Sequence, residues 1–266
     1  MSGARVPAVK DSAQAAALSR SPRLIVCMTS TPPRFAGIAR SLDSLLAQSV
    51  QPETIFLSIP KAYRRFEGAV CPPDVSAYAG RVVLLRPDID DGPGTKLIGA
   101  LAHLPRDPDC LAVLADDDHV YEPGMLAAFA AHFRQSPGEA ASFHVYRYRG
   151  LDVGQGADGF AIPVSRLRHL ERFHRTVRKN AAAFYVDDLW TSYYLWLTST
   201  PIASLSAQLP SGRLIFRTVN DAQALNRETG RQKRSRVMRG ARRFLCWRFG
   251  IAETPRRLAG RTGWKV

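Results

Sequence analysis

An α/β fold, with a mostly parallel sheet flanked by helices, is what this 266-residue sequence predicts. Two observations lead there. Short apolar runs bounded by proline, glycine or acids alternate with helical patterns between residues 23 and 121, as in strands joined by crossovers. Polar clusters at residues 29–34, 90–96 and 116–118 each follow such a run, and parallel sheets collect ligands at the carboxyl ends of their strands.

In chain order, "RLIVCMTSTPP" reads as a first buried strand, residues 24–28, breaking into a Thr/Ser/Pro loop. A helix follows through "FAGIARSLDSLLAQ", with Ile38, Leu42, Leu45 and Leu46 on one face. "TIFLSIP" and "RVVLLRP" are the second and third strands, stopped by Pro60 and Pro87. "DDGPGTKLIGALAHL" is a Gly/Pro loop entering a short amphipathic helix, and "CLAVLADDD" is the fourth strand. Past Tyr121 the pattern changes. "PGMLAAFAAHF" is a helix with Pro123 near its first position, "AASFHVYRYRG" a strand, and "GQGADGFAIP" a glycine-rich loop. "AFYVDDLWTSYYLWL" then sets Asp187 and Asp188 ahead of an aromatic helix.

Charge is uneven. Thirteen basic residues against two acids between Arg227 and Lys265 carry +11 of the net +14, so the basic character belongs to the C-terminal stretch. In "SRVMRGARRFLCWRFG", apolar residues and arginines alternate at a helical period. Such a helix suits an anionic membrane surface, or packs on the domain as a solvated basic helix. No recognised nucleic-acid module accompanies the arginines, which speaks against that partner. No segment reaches the roughly 18 apolar residues of a membrane span, and "SYYLWLTSTPIASLSA", the nearest, is broken by Pro201. The first two dozen residues lack the apolar stretch of a signal peptide. Cys27, Cys71, Cys110 and Cys246 are scattered, without metal-ligand spacing. A reduced, cytoplasmic protein is the expectation.

The chemistry should lie in the acids. "LAVLADDDHVYEP" ends an apolar run in Asp116, Asp117 and Asp118, with no Lys or Arg nearby in sequence to pair them. Carboxylates at a strand end suit Mg2+ or Mn2+, which bind through one or two carboxylates plus substrate phosphates. Alternate residues of an extended segment point the same way, so Asp116 and Asp118 could share one ion. The bland alternative is that the triad caps the next helix, and the same alternative holds for Asp187 and Asp188. If one of that second pair is more than a cap, it is a general base.

Taken together, "IVCMTSTPPRF", "GPGTKLIGAL", "LADDDHVYEPGML", "GADGFAIP", "VDDLWTSYYL" and "DAQALNRETGRQKR" resemble, in this order, bacterial glycosyltransferases of the GT-A fold. The likeness is to family 2-like and capsule- or lipopolysaccharide-associated enzymes, from Arg23 to about Arg234. The resemblance implies a nucleotide-sugar donor, with UDP as the nucleotide. It implies Asp116 and Asp118 on a divalent ion and the diphosphate, with Asp117 between them. It implies Thr29, Ser30, Thr31 and Arg34 around nucleobase and ribose, and Lys96 near the diphosphate. Asp188, beside Asp187, would be the base; Asp158 and Gly159 would lie beneath the sugars; Trp190 would offer a face to the acceptor. The acceptor would be a cell-surface glycan or its lipid-linked precursor. On this reading residues 1–22 are a flexible N-terminus and 23–226 the GT-A domain. Its nucleotide-binding half is about 23–121, its acceptor half about 122–226, and residues 227–266 are the basic tail. One departure stands out: many such enzymes add a metal ligand, often His, from the C-terminal part, and here no histidine follows His174. His119 reads as a residue supporting the triad from behind or lying on the surface. Two rivals stay open, a nucleotidyl- or phosphotransferase using the same acids and a non-enzymatic basic scaffold or nucleic-acid binder.

Overall fold

The computed structural model describes residues 21–68, 70–208, 216–218 and 225–249. Its sheet grows outward from β1 (Arg23–Thr29). β2 (Thr54–Ser58) and β4 (Cys110–Leu114) pair with β1 on either side, both parallel to it. β3 (Val82–Leu85) extends the β2 side. Beyond β4 come β9 (Phe160–Pro163), β6 (Ala140–Ser142) and β10 (Ile202–Ser204), giving the order β10-β6-β9-β4-β1-β2-β3. β9 runs antiparallel to both its neighbours, and the other pairings are parallel.

Side chains alternate across β1, and each set meets its own helices. Leu24, Val26 and Met28 pack with α1 (Ile38–Leu46) and α3 (Met125–Gln135). Ile25 and Cys27 share a second core with α2 (Thr95–Ala100), α4 (Leu170–Val177) and α5 (Asp187–Leu197). The spacing of Ile38, Leu42 and Leu45 explains α1, since all three are buried on one face. Pro32 and Pro33 open the 3-10 turn that leads into it.

Two expectations are corrected. "AASFHVYRYRG" is two strands in different sheets: β6 joins the main sheet, whereas β7 (Val145–Tyr148) pairs with β8 (Leu151–Gly154) as a hairpin. The break falls at Phe143–His144, and the hairpin turn has positive φ at Arg149 (47°) and Gly150 (86°), the geometry that matches strand twist. "GADGFAIP" is only half a loop. Its second half is β9, buried along its whole length between β4 and β6. An apolar run of four residues has no period with which to announce a strand.

β5 (His119–Tyr121) pairs with β11 (Phe216–Thr218) outside the main sheet. The basic stretch forms α6 (Leu225–Phe249). Its Ala241, Leu245 and Cys246 are buried against the domain, and Phe249 stacks on Phe173 at 4.9 Å. The helix therefore spends its apolar face on the protein itself. The expectations for residues 1–20 and 250–266 lie outside the described residues.

Candidate functional site

From β1 the chain builds β2 and β3 on one side, then returns to lay β4 on the other. Loops leaving β1 and β4 therefore diverge at their carboxyl ends, and such a switch point opens a crevice. Residues 29–34 and 115–118 meet there. Thr29 donates its hydroxyl to Ser58 O (2.7 Å), tying the end of β1 to β2. Ser30 donates to Asp117 Oδ2, and Ser41 donates to Asp117 O (2.7 Å). Arg34 lies 2.8 Å from Asp117 Oδ1 and also contacts Asp118. Its Nε is buried without a hydrogen-bond partner. Thr31 begins the 3-10 turn and makes no side-chain cap.

The triad is not an extended segment. The chain turns at Asp117 and Asp118, so simple alternation does not apply. The turn instead gathers Asp116, Asp118 and His119, whose ligand atoms lie within 4.8 Å of one another. His119 Nδ1 is 2.6 Å from Asp118 Oδ1. Burial opposes the imidazolium, but that bond and the nearby acids raise the His119 pKa. Nor do the three acids cap the next helix: α3 starts behind Gly124 without a side-chain cap. Their basic partners are indeed not local in sequence. Lys96 and Arg34 pair with them from 20 and more than 80 residues away, a distance no local pattern reveals.

Lys96, 3% exposed, joins the two halves of the site. Its Nζ lies 2.5 Å from Asp116 Oδ1 and 3.3 Å from Asp187 Oδ2. Burial disfavours its charge, yet Asp116, Asp187 and Asp188 hold its pKa well above the ordinary lysine value. Desolvation opposes the charge of Asp116, whose side chain is partly exposed, yet Lys96 draws its pKa down to about 2. Asp117 is pushed up to about 6 by burial, against Arg34. Burial and the adjacent Asp187 lift Asp188 to about 8, although Lys96 pulls the other way. Asp188 Oδ1 accepts from Gly156 N (2.9 Å) in the glycine-rich loop. Asp187 and Asp188 occupy the first turn of α5, so the helix dipole also favours their charge.

The loop before β9 carries Asp158, whose carboxyl is raised by burial and opposed by His144 and His119. Gly159 (φ +86°) is demanded by packing, because a Cβ there would stand 3.0 Å from both Met125 and Phe129. Trp190 is 1% exposed, and a Cβ on Gly94 would come within 2.6 Å of its ring. It is packed into the core and presents no open face for a sugar, and Tyr193 at 4% exposure is similarly enclosed.

Sequence reasoning passed over three contributors. Tyr121 Oη accepts from Asp116 N (2.7 Å), steadying the triad's backbone. Its place three residues after the triad was the available signal. His119 was set in the background, and it lies inside the acid cluster. Asp91 forms a two-pronged pair with Arg178 (2.7 Å each), with His174 beside it. That clamp fixes the Gly92–Pro93–Gly94 turn leading into Lys96, and nothing local marked Arg178 as its partner.

Comparison with known proteins adds fold-level likeness. No family model matches the chain, and no curated protein does. Among solved structures, the mannosyltransferase PcManGT from Pyrobaculum calidifontis, in complex with GDP-Man and Mn2+, is similar at TM-score 0.56 and 14% identity, covering 90% of this chain and 67% of that one. TarS residues 1–349 from S. aureus, in complex with UDP, gives TM-score 0.51 at 14% identity, covering 84% and 65%. The fold is GT-A. A third GT-A structure, glucosyl-3-phosphoglycerate synthase from Mycobacterium tuberculosis in complex with phosphoglyceric acid, gives TM-score 0.50 at 15% identity, covering 93% and 87%. The chain spans about two thirds of the length of the first two. In a GT-A frame, the crevice at β1 and β4 is the natural place for a ligand.

Proposed function

We propose that the chain is a metal-dependent glycosyltransferase that moves a sugar from a nucleotide-sugar donor, with UDP as the nucleotide, to a hydroxyl of a cell-surface glycan or lipid-linked acceptor. The observation that carries this reading is Lys96, which binds Asp116 from one half of the chain and Asp187 from the other, with Asp188 beside them. Transfer between two substrates needs a leaving-group site and a base within one crevice, and these residues supply both.

Among the described residues, the carboxylates Asp116, Asp117, Asp118, Asp187 and Asp188 draw their basic partners from Lys96 and Arg34, with Asp158 close by. That surplus, carried by carboxylates with one imidazole among them, fits Mn2+ or Mg2+ at Asp116 and Asp118. When bound, such an ion offsets charge on the departing diphosphate. Lys96 and Arg34 add to this: both are held rigidly by carboxylates, and the Arg34 Nε still lacks an acceptor. Asp188, oriented by Gly156 N, takes the proton from the acceptor hydroxyl, and a base with pKa near 8 is well matched to that task. Asp158 and Gly159 line the floor under the sugars. Ser30 acts on the triad through Asp117, which leaves Thr29 and Thr31 to border the nucleoside.

Membrane contact belongs to the same proposal. On α6, Arg236, Arg239, Arg243 and Trp247 fall on one exposed stripe opposite the docked face, and Trp247 is 77% exposed. Arginines beside a tryptophan suit an anionic lipid surface. No helix among the described residues is long and apolar enough to cross a membrane. A cytoplasmic face is the side that such lipids line.

Calorimetric titration of UDP with and without Mn2+, on wild type and Asp118→Asn, tests the donor site. Binding that requires Mn2+ and vanishes in the variant is expected. Wild type that binds neither UDP nor GDP, with Mn2+ present, would sink the reading.

A further inference from the structure

We propose that His119 is a direct ligand of the divalent ion, so that Asp116, Asp118 and His119 form a complete three-point site within one loop. The inference rests on the glycosyltransferase reading for the presence of an ion, and it goes beyond that reading by naming the ligand absent from the C-terminal part of the chain. Among the described residues, these three are the one group of His, Cys, Asp or Glu side chains with ligand atoms gathered closely enough to hold a metal. In this sequence no histidine follows His174, and His174 sits beside Asp91 and Trp190 in a different cluster.

The geometry suits a shared ion. Donor atoms about 2.2 Å from one centre lie at most about 4.4 Å apart. The three atoms here fall within 4.8 Å, so closure by a few tenths of an ångström suffices. The turn at Asp117 and Asp118 makes this possible, because it breaks the alternation that would send residue 119 to the opposite face. His119 is 7% exposed, and its backbone is held in the pairing of β5 with β11. His119 Nδ1 and Asp118 Oδ1 lie 2.6 Å apart, and an ion bound through both would take the place of the proton they share. An imidazole ligand also shifts preference: oxygen-only sites suit Mg2+, whereas nitrogen favours first-row transition ions. The site should therefore discriminate Mn2+ from Mg2+ more sharply than carboxylates alone.

A supporting role, with His119 merely orienting Asp118, would look similar by affinity. Removing such a partner also costs about 10–100-fold in metal binding. The direct readout is pulsed electron paramagnetic resonance of Mn2+ bound to the full chain, comparing ordinary protein with protein carrying nitrogen-15 histidine. A nitrogen coupling that changes with the label is expected, and it should be lost in His119→Asn together with about a tenfold preference for Mn2+ over Mg2+. The isotope comparison uses wild type alone, so it stands even if the variant fails to fold. Bound Mn2+ without histidine coupling, or coupling that survives in His119→Asn, overturns His119 as a ligand and leaves the glycosyltransferase reading intact. Absence of bound Mn2+, with and without UDP, overturns both.

Discussion

Asp188 and Asp187 are adjacent in sequence, yet the site treats them differently. Asp187 lies 3.3 Å from the Lys96 ammonium, whereas Asp188 accepts from a backbone amide and is lifted to about 8. A base works only once deprotonated, so kcat/KM should climb with pH through about 8 and level off above it. Asp188→Asn should lower turnover by about 10²–10⁴-fold while UDP still binds. Transfer activity that survives the change would favour a nucleotidyl- or phosphotransferase. His174 makes a second residue-scale prediction, this time about stability. Burial lowers its pKa to about 4 in the folded chain, against an ordinary value of 6.5. The unfolded chain then binds a proton that the folded one refuses. Stability should fall as pH drops from about 6.5 to 4, by about 3 kcal/mol across that window. Urea unfolding at several pH values should show a shallower fall for His174→Gln. An identical slope in both proteins would contradict the buried neutral imidazole.

At the scale of elements, the Gly92–Pro93–Gly94 turn deserves the closest test, because it delivers Lys96. Gly92 has φ +61°, and a Cβ there would stand 2.4 Å from Phe184 O, a backbone atom with no freedom to yield. Gly80 has φ +80° but open space around it. Both positions disfavour alanine through their dihedral, and only Gly92 adds a collision. Gly92→Ala should cost about 1–3 kcal/mol, a melting point lower by several degrees, and should weaken Mn2+-dependent UDP binding. Gly80→Ala should cost less and leave UDP binding unchanged. Equal melting points for the two variants would show that the 3-10 turn is not pinned against Phe184.

Across the whole molecule, charge is segregated: acids gather in the crevice, while α6 turns an arginine and tryptophan stripe outward. On the proposed reading, the stripe is the part of the chain that would meet an anionic surface. Co-sedimentation with vesicles of phosphatidylglycerol should exceed that with neutral vesicles and fall as salt rises, within the range where screening lengths shorten from about 30 Å to 8 Å. Replacing Arg236, Arg239 and Arg243 by Gln together should abolish it. Trp247→Ala should weaken it with little change in melting point, because that side chain is not part of the core. Binding that ignores lipid charge would remove the stripe from consideration.

The amino-acid sequence by itself determined the strands β1 to β4, the helix faces and the polar clusters at the strand ends, since these depend on periodicity and punctuation within a dozen residues. Tertiary structure decided which charges meet. Arg34 with Asp117, Lys96 with Asp116 and Asp187, and Arg178 with Asp91 are contacts across long separations, set by how helices lie on the sheet. It also decided that β9 enters the sheet and that Trp190 turns into the core. The apolar face of α6 is the plainest case. A helical period reads the same whether that face meets lipid or protein, and only the packed neighbours Phe173 and α5 distinguish the two.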